Sequence, residues 1–493
     1  MHFTSTRGCK NKITPTQAII KGLSEDGGLY VPSDFPNLEN ELINLINLSY
    51  QELALFILEK FLVDFRKEEL KECINKAYDN KFETKNITPI KKVNKEYFLE
   101  LYHGPTCAFK DLALTLMPHL LSTSLKKNNI KKEIVILTAT SGDTGKAALE
   151  GFKNIPNTKI IVFFPEDGVS SIQKLQMTSQ EGENTHVVSI KGNFDDAQNA
   201  VKNTFNNKEF VNEMYDKGYI LSSANSINIG RLLPQIVYYF YAYCDLVRSE
   251  EITLYDKINF VVPTGNFGDI LAGYYAKKMG LPINKLICSS NDNHVLYDFL
   301  STGTYDKNRD LKLTTSPSMD ILISSNLERL LYYISDKDSN KVNELIGNLN
   351  RDGKYKINNY MKENLNDFNG QFATEEEVND SINKVFKQYN YLIDTHTGVA
   401  YTCYEKYKKE SNDDTKSVIL STASPYKFSK DVLNALGINS YEDDDFTIIN
   451  KLSHISNTTI PTPISKLKDA KILHNLSCEK EDILKEIKII LKV

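Results

Sequence analysis

The chain contains no tryptophan, although it carries 27 tyrosines and 23 phenylalanines, so aromatic bulk is supplied without indole. Paired cysteines are missing too. Cys9, Cys73, Cys107, Cys244, Cys288, Cys403 and Cys478 are odd in number, scattered, and contain no CxxC. That pattern excludes a disulfide framework and a thiolate zinc site, and it points to a reducing compartment. The eight histidines show no HExxH or paired spacing, so no metal is expected. Long hydrophobic runs are absent: no stretch approaches the ~20 apolar residues of a membrane span. The opening MHFTSTRGCKNK has no apolar leader core. A cytoplasmic protein without membrane partners is the expectation. Neither sign of charge dominates, with Lys+Arg 59 against Asp+Glu 64 and a net charge of −5. This excludes a polybasic nucleic-acid protein and an acidic solvating tail. With 41% hydrophobic and 25% charged residues over 493 positions, the composition is globular. At about 150 residues per domain it predicts roughly three domain-sized units.

What is present is one repeated unit, a short β-branched apolar run followed by a small or polar loop and a helical pattern. Strand-then-helix pairs are predicted at 97–102 and 106–121, 133–138 and 145–152, 158–164 and 170–178, and 186–190 and 194–205. They continue at 219–222 and 230–246, 257–262 and 269–279, 285–289 and 294–300, and 417–420 and 429–436. Runs such as IVIL and IIVFF read as strands buried on both faces, and the alternation implies parallel βαβ units. Two regions break the rhythm. Residues 1–88 are mainly helical, with patterns at 14–23, 40–61 and 67–77, and the Asn/Lys-rich stretch at about 306–390 reads as a helical insertion. The expected division is a helical unit over 1–88, an α/β unit over 89–235, a second α/β unit over 236–437 containing the insertion, and a 438–493 segment packed on the core.

Ligands in open α/β sheets bind at the carboxyl ends of strands, so the loops after the strands carry the chemical information. In TATSGDTGKAA (138–148), small and hydroxyl residues open a helix whose N–H groups suit an anion. A Walker A loop is excluded, because Thr140 and Ala147 stand where it needs Gly and Ser/Thr; an ordinary Gly-rich turn remains open. In VVPTGNFGDILAG (261–273), Gly268 allows close approach of backbone to ligand, and Asp269 could cap the next helix. In HGPTCAFKDLAL (103–114), Pro105 and Thr106 can start a helix that places Lys110 in its early turns beside Phe109. The positive helix end and apolar neighbours both push a lysine towards the neutral amine that forms a Schiff base. A surface Lys110–Asp111 pair is the competing reading. Phosphate-type loops beside such a lysine suggest pyridoxal phosphate, which brings both a phosphate and an aldehyde.

Ordered motifs then connect these loops along the chain. They are STRG…AIIKGLSEDGGLYVP (5–32), LYHGPTCAFKD, TATSGDTGKAA, NSINIGRLLPQ (225–235), VPTGNFGD, SPSMDILISSNLERLL (316–331), DTHTGVAY (394–401) and LSTASPYKF (420–428). In this set the sequence resembles the threonine synthase family, in its longer bacterial and fungal form, within the tryptophan-synthase-β-like pyridoxal-phosphate enzymes. Thr395 departs from the family pattern, where a proline is familiar. The resemblance implies an α/β fold of two open, mostly parallel sheets flanked by helices, with the active site between them and a helical N-terminal region. It implies that Lys110 holds the cofactor, that Gly265, Asn266, Phe267, Gly268 and Asp269 surround its phosphate, and that Thr422 meets its ring nitrogen. It further assigns Ser141, Gly142, Asp143 and Thr144 to the substrate carboxylate. Arg231, near Asn225 and Asn228, is the candidate for a substrate anion, with an interdomain salt bridge as the alternative. His103 could line the site or be structural. The implied reaction turns O-phospho-L-homoserine and water into L-threonine and phosphate, by γ-elimination and β-addition of water, in a monomer or homodimer. Two other readings stay open: a related phospho-lyase that stops after elimination and releases a 2-oxo acid, and a non-catalytic nucleotide-binding α/β protein.

Overall fold

A computed structural model describes the chain from Met1 to Val493, except Ser141, Asp167, Gly168, Tyr441 and Glu442 and the side chains of Phe194 and Asp195. The first 88 residues are helical as expected, with one addition: Phe3–Ser5 and Tyr30–Pro32 pair as a small antiparallel ribbon. The single pattern at 40–61 divides into Leu42–Leu45 and Tyr50–Phe61. The cause is local. Ser49 and Glu52 form a capping box, and that box starts a fresh helix. The pattern at 67–77 is the helix Lys67–Ala77.

The βα rhythm folds into two large sheets. The six-stranded sheet runs Phe368–Phe372, Ile283–Ser290, Ile258–Pro263, Ser417–Ser421, Glu96–Glu100 and Ile90–Val93, parallel throughout except for the last pair. The five-stranded sheet runs Leu476–Glu479, Thr185–Lys191, Thr158–Pro165, Glu133–Ala139 and Tyr219–Ser222, all parallel. Continuous burial along Ile258–Pro263 and Ser417–Ser421 matches sheets covered on both faces.

This topology corrects the expected boundaries. A division at 235 groups the strand before Lys110 with the strand before the 138–148 loop, yet they lie in different sheets. Glu96–Glu100 pairs with Ser417–Ser421, with Val418 opposite Tyr97 and Leu420 opposite Leu99. The 306–390 stretch is not purely helical either. Its helices Leu327–Ile334, Ser339–Asp352 and Glu375–Tyr389 accompany Phe368–Phe372, an edge strand of the six-stranded sheet. The C-terminal segment adds the edge strand Leu476–Glu479 to the five-stranded sheet.

Between the helical N-terminal region and the sheets runs the helix Ile229–Arg248, buried on nearly every face. A helix apolar all round belongs inside a large core. Its tyrosines supply the bulk that tryptophan does not, and their hydroxyls have partners: Tyr238 and Tyr239 both donate to Asp269. Among the described residues, no helix is long and apolar enough to cross a membrane.

Candidate active site

Because Glu96–Glu100 and Ser417–Ser421 are parallel neighbours, the loops leaving their carboxyl ends run side by side and bond to each other. Leu101 N–H donates to the Ser421 carbonyl at 2.9 Å, Phe109 N–H to that of Thr422 at 2.8 Å, and Ser424 N–H to that of Cys107 at 3.0 Å. The expected helix start at Pro105 is not what forms. The Asp111 carboxylate accepts from the Thr106 N–H (2.8 Å) and hydroxyl (2.6 Å), Cys107 takes φ 58°, and the helix Asp111–Leu114 begins only after Lys110. A surface Lys110–Asp111 pair is thereby replaced. Asp111 is fully buried and turned to Thr106, and burial pushes its carboxyl up to about 6.

Lys110 points into the cleft between the sheets with 11% of its side chain exposed. Its Nζ donates to Ser318 Oγ at 3.2 Å, lies 3.8 Å from Asp143 Oδ2, and sits 5.2 Å from the Phe109 ring centroid. Burial pushes its pKa down to about 8; Asp143 opposes this, while the nearby Lys427 and Arg231 reinforce it. Of the two causes expected from the sequence, desolvation is the one that lowers this pKa; the helix begins only after Lys110.

The second loop follows Ile258–Pro263 and opens the helix Gly268–Lys278. Asp269 does not cap this helix. Phe267 holds the N-cap position at φ 62° without a side-chain cap, and Asp269, one residue inside the helix, turns to Tyr238 (2.6 Å) and Tyr239 (2.8 Å). Burial raises its carboxyl to about 6. The carbonyls of Gly265 and Asn266 are taken by Ser324 Oγ (2.8 Å) and by Asn326 (3.0 Å from its amide side chain). The first N–H groups of the helix have no intrahelical acceptor and remain for an anion. A Cβ on Gly265 would stand 2.6 Å from the Ser318 carbonyl oxygen, so this glycine lets the 316–319 turn approach. One on Gly268 would stand 3.5 Å from the Asn326 side-chain nitrogen and 3.9 Å from Ser226 Cβ, ordinary contacts that pack this turn against the two side chains.

On the five-stranded side the 138–148 loop is partly satisfied from within. Thr140 Oγ1 accepts from the N–H groups of Gly142 (3.0 Å) and Gly145 (2.9 Å). Ser141 lies outside the described residues. The helix starts at Asp143, whose Oδ1 is 2.7 Å from Lys427 Nζ and accepts from Gln173 at 2.9 Å. Thr144 is half-buried.

Arg231 lies in the first turn of the buried helix Ile229–Arg248. Its Nη1 donates to the Ala224 carbonyl at 2.8 Å, while its Nε is buried without a partner. No carboxylate pairs with it among the described residues, so no interdomain salt bridge forms there. Burial alone pulls its pKa down to about 10. A desolvated guanidinium lacking an anion is what a phosphate or carboxylate site requires. Asn228 caps the helix and bonds the Ile19 carbonyl, whereas Asn225 is exposed. His103 bonds Glu100 at 2.8 Å.

Several residues that carry this geometry had no role assigned from sequence. Ser318, the hydrogen-bond partner of Lys110, donates its backbone N–H to His396 Nε2 at 3.3 Å, and His396 Nδ1 is 2.8 Å from Asp394. The two ring nitrogens of His396 thus tie the Ser318 backbone to the Asp394 carboxylate. Arg329, wholly buried, ties Asn326 to the carbonyls of Tyr30 and Ile227. Lys427 is also wholly buried and bonds both Asp143 and the Thr106 carbonyl. All sit in motifs visible in the sequence, SPSMD, DTHTG, SNLER and SPYKF, but the partners are far away along the chain. No cluster of three or more metal-ligating residues occurs among the described residues.

Two parallel sheets, a desolvated lysine between them and a glycine-lined helix start facing it define a pyridoxal-phosphate enzyme with the tryptophan-synthase-β-like fold. Residues 82–423 match the family described as "Pyridoxal-phosphate dependent enzyme". The chain belongs to the threonine synthase family: residues 2–78 match "Threonine synthase N terminus" and 397–471 "Threonine synthase, C-terminal". It is similar to threonine synthase of Saccharomyces cerevisiae, at 36% identity over 96% of each chain. It is also similar to the human protein named Threonine synthase-like 1, at 41% identity over 90% of this chain; the match spans 61% of that longer relative. Among solved structures, a pyridoxal-phosphate-bound threonine synthase from Brucella melitensis superposes with a TM-score of 0.89 at 34% identity, covering both chains fully. Yeast threonine synthase gives the same score and identity over 100% of this chain and 99% of that one.

Proposed function

We propose that this chain is a threonine synthase, converting O-phospho-L-homoserine and water to L-threonine and phosphate, with Lys110 as the residue that holds pyridoxal phosphate. The observation that carries the reading is the amine itself: a lysine pushed down to about 8 by burial, in the cleft between the sheets. The bound cofactor would act as an electron sink that acidifies the substrate's Cα and Cβ protons. The remaining work falls to this chain's own groups. The helix start at Gly265–Gly268 receives the cofactor phosphate, and Asp269, fixed by Tyr238 and Tyr239, supports that turn from behind. Thr422, buried beside the Lys110 loop, offers the ring nitrogen a hydroxyl. Such a partner does not hold a proton there as a carboxylate would. The Gly142–Thr144 loop, with Ser141 before it, takes the substrate carboxylate. Arg231, aided by Asn225, takes the substrate phosphate. Once the substrate's amino group has taken its place on the cofactor, Lys110 Nζ would be free to carry protons between the substrate carbons beside it.

The domain reading that fits these assignments is a cleft between an α/β unit built on the six-stranded sheet and another built on the five-stranded sheet. A cytoplasmic monomer or homodimer, with no nucleic-acid or membrane partner, completes the proposal.

The test is turnover of O-phosphohomoserine with threonine and phosphate followed together, using Lys110→Ala as control. Equal amounts of both products, lost in the variant, are expected. A 2-oxo acid in place of threonine would assign elimination without hydration. No product from folded, cofactor-loaded protein overturns the reading.

A further inference from the structure

Asp143 sits between two lysines that come from different loops of the six-stranded sheet. Lys427 Nζ is 2.7 Å from its Oδ1, while Lys110 Nζ is 3.8 Å from its Oδ2. The asymmetry is built in. Lys427 has no exposed side-chain surface and a second acceptor, the Thr106 carbonyl at 3.0 Å in the Lys110 loop itself. Lys110 turns instead to the neutral hydroxyl of Ser318. We propose that Lys427 is a positioning residue that claims the Asp143 carboxylate, leaving Lys110 free of a tight counter-ion and able to react as an amine. The proposal rests on Lys110 being the cofactor lysine.

The alternative is that the buried pair only joins the two halves of the molecule. Charge bookkeeping separates the two. The groups facing Lys110 are Asp143, Lys427, Arg231 and Asp111, together with Asp269, which also feels its charge. Asp111 is held by Thr106 and Asp269 by the two tyrosines, so Asp143 is the carboxylate nearest to Lys110. Without Lys427, its remaining hydrogen-bond partner among the described residues is the uncharged Gln173. Asp143 would then close on Lys110 and favour the ammonium form.

The readout is the pH dependence of cofactor capture by the full chain stripped of cofactor, followed by visible absorbance and by borohydride trapping on the Lys110 peptide. Lys427→Met is expected to move the midpoint up by about one pH unit, which is about tenfold slower capture at neutral pH. Asp143→Asn moves it down. The double variant Lys427→Met/Asp143→Asn, which removes both charges of that buried pair, falls within a few tenths of a unit of Asp143→Asn. An unmoved midpoint in Lys427→Met overturns the proposal. So does a double variant lying a full unit above Asp143→Asn, since Lys427 would then act by its own charge. If Lys427→Met does not fold, the second comparison decides alone. Loss of capture in Lys110→Ala keeps the premise. Retained capture there sinks the premise and the proposal together.

Discussion

The two sheets contribute to the cleft in unequal ways. The six-stranded sheet supplies the Lys110 loop, the Gly265–Asp269 turn, the Thr422–Lys427 turn and the Asp394–His396 pair. These are bonded to one another: Phe109 to Thr422, Cys107 to Ser424, and Ser318 to both His396 and Lys110. The five-stranded sheet supplies the 138–148 loop, whose N–H groups are partly occupied by its own Thr140 and whose carboxylate crosses to Lys427, and the segment after Tyr219–Ser222 that leads to Arg231. The first side is a platform braced from loop to loop, while the 138–148 loop of the second meets it through the carboxylate of Asp143. On the proposed assignments, cofactor binding belongs to the first side, and substrate recognition depends on how the second meets it.

Breaking the platform at its reactive atom has the largest effect. Lys110→Ala removes the amine, and turnover is expected to fall by at least about a thousandfold, with the visible cofactor band lost. Arg231→Ala comes next. Removing a desolvated charge from an anion contact costs about 1.5–3 kcal/mol, so KM for the phosphorylated substrate rises by roughly 10- to 100-fold. The cofactor spectrum is expected to stay as it is if Arg231 serves the substrate, as proposed. Gly265→Ala places a methyl against the Ser318 carbonyl and is expected to cost about 1–3 kcal/mol in thermal unfolding, with weaker cofactor retention. Thr140→Val strands two N–H groups of the opposing loop and costs roughly 1–2 kcal/mol. It raises KM while sparing the cofactor spectrum; a changed spectrum would dissolve the contrast between the sheets. The gentlest probe is pH. Only the neutral amine captures the cofactor, and the Lys110 pKa is about 8. Capture therefore speeds up as pH rises through that value and levels off above it.

Much of this architecture was legible in the sequence because it is local. The βα rhythm, the helix Lys67–Ala77, and the loops carrying Lys110 and Gly265 all declare themselves within a dozen residues. What escaped is set by partners distant in the chain. The strand before Lys110 pairs with Ser417–Ser421, and no local pattern separates that from pairing with Glu133–Ala139. Asp269 has the right spacing for a cap, yet the hydroxyls of Tyr238 and Tyr239 outcompete the helix end once that helix packs beside it. Lys427 carries no local signal of its own, because its role depends on Asp143 in the loop of the other sheet. Conversely, the desolvation of Lys110 was readable from its apolar neighbours, although the helix expected to assist it starts only at Asp111.

The strand Leu476–Glu479 carries a consequence for assembly on the ribosome. A growing chain completes four strands of the five-stranded sheet by Ser222, but Thr185–Lys191 remains an unpaired edge until Leu476 has been made. Exposed parallel edges are templates for pairing with other chains. The nascent protein must carry that open edge from Ser222 until Leu476–Glu479 is made. Changes that weaken this strand are therefore expected to lower the yield of folded protein by leaving the edge exposed, although none of its residues lies in the candidate site.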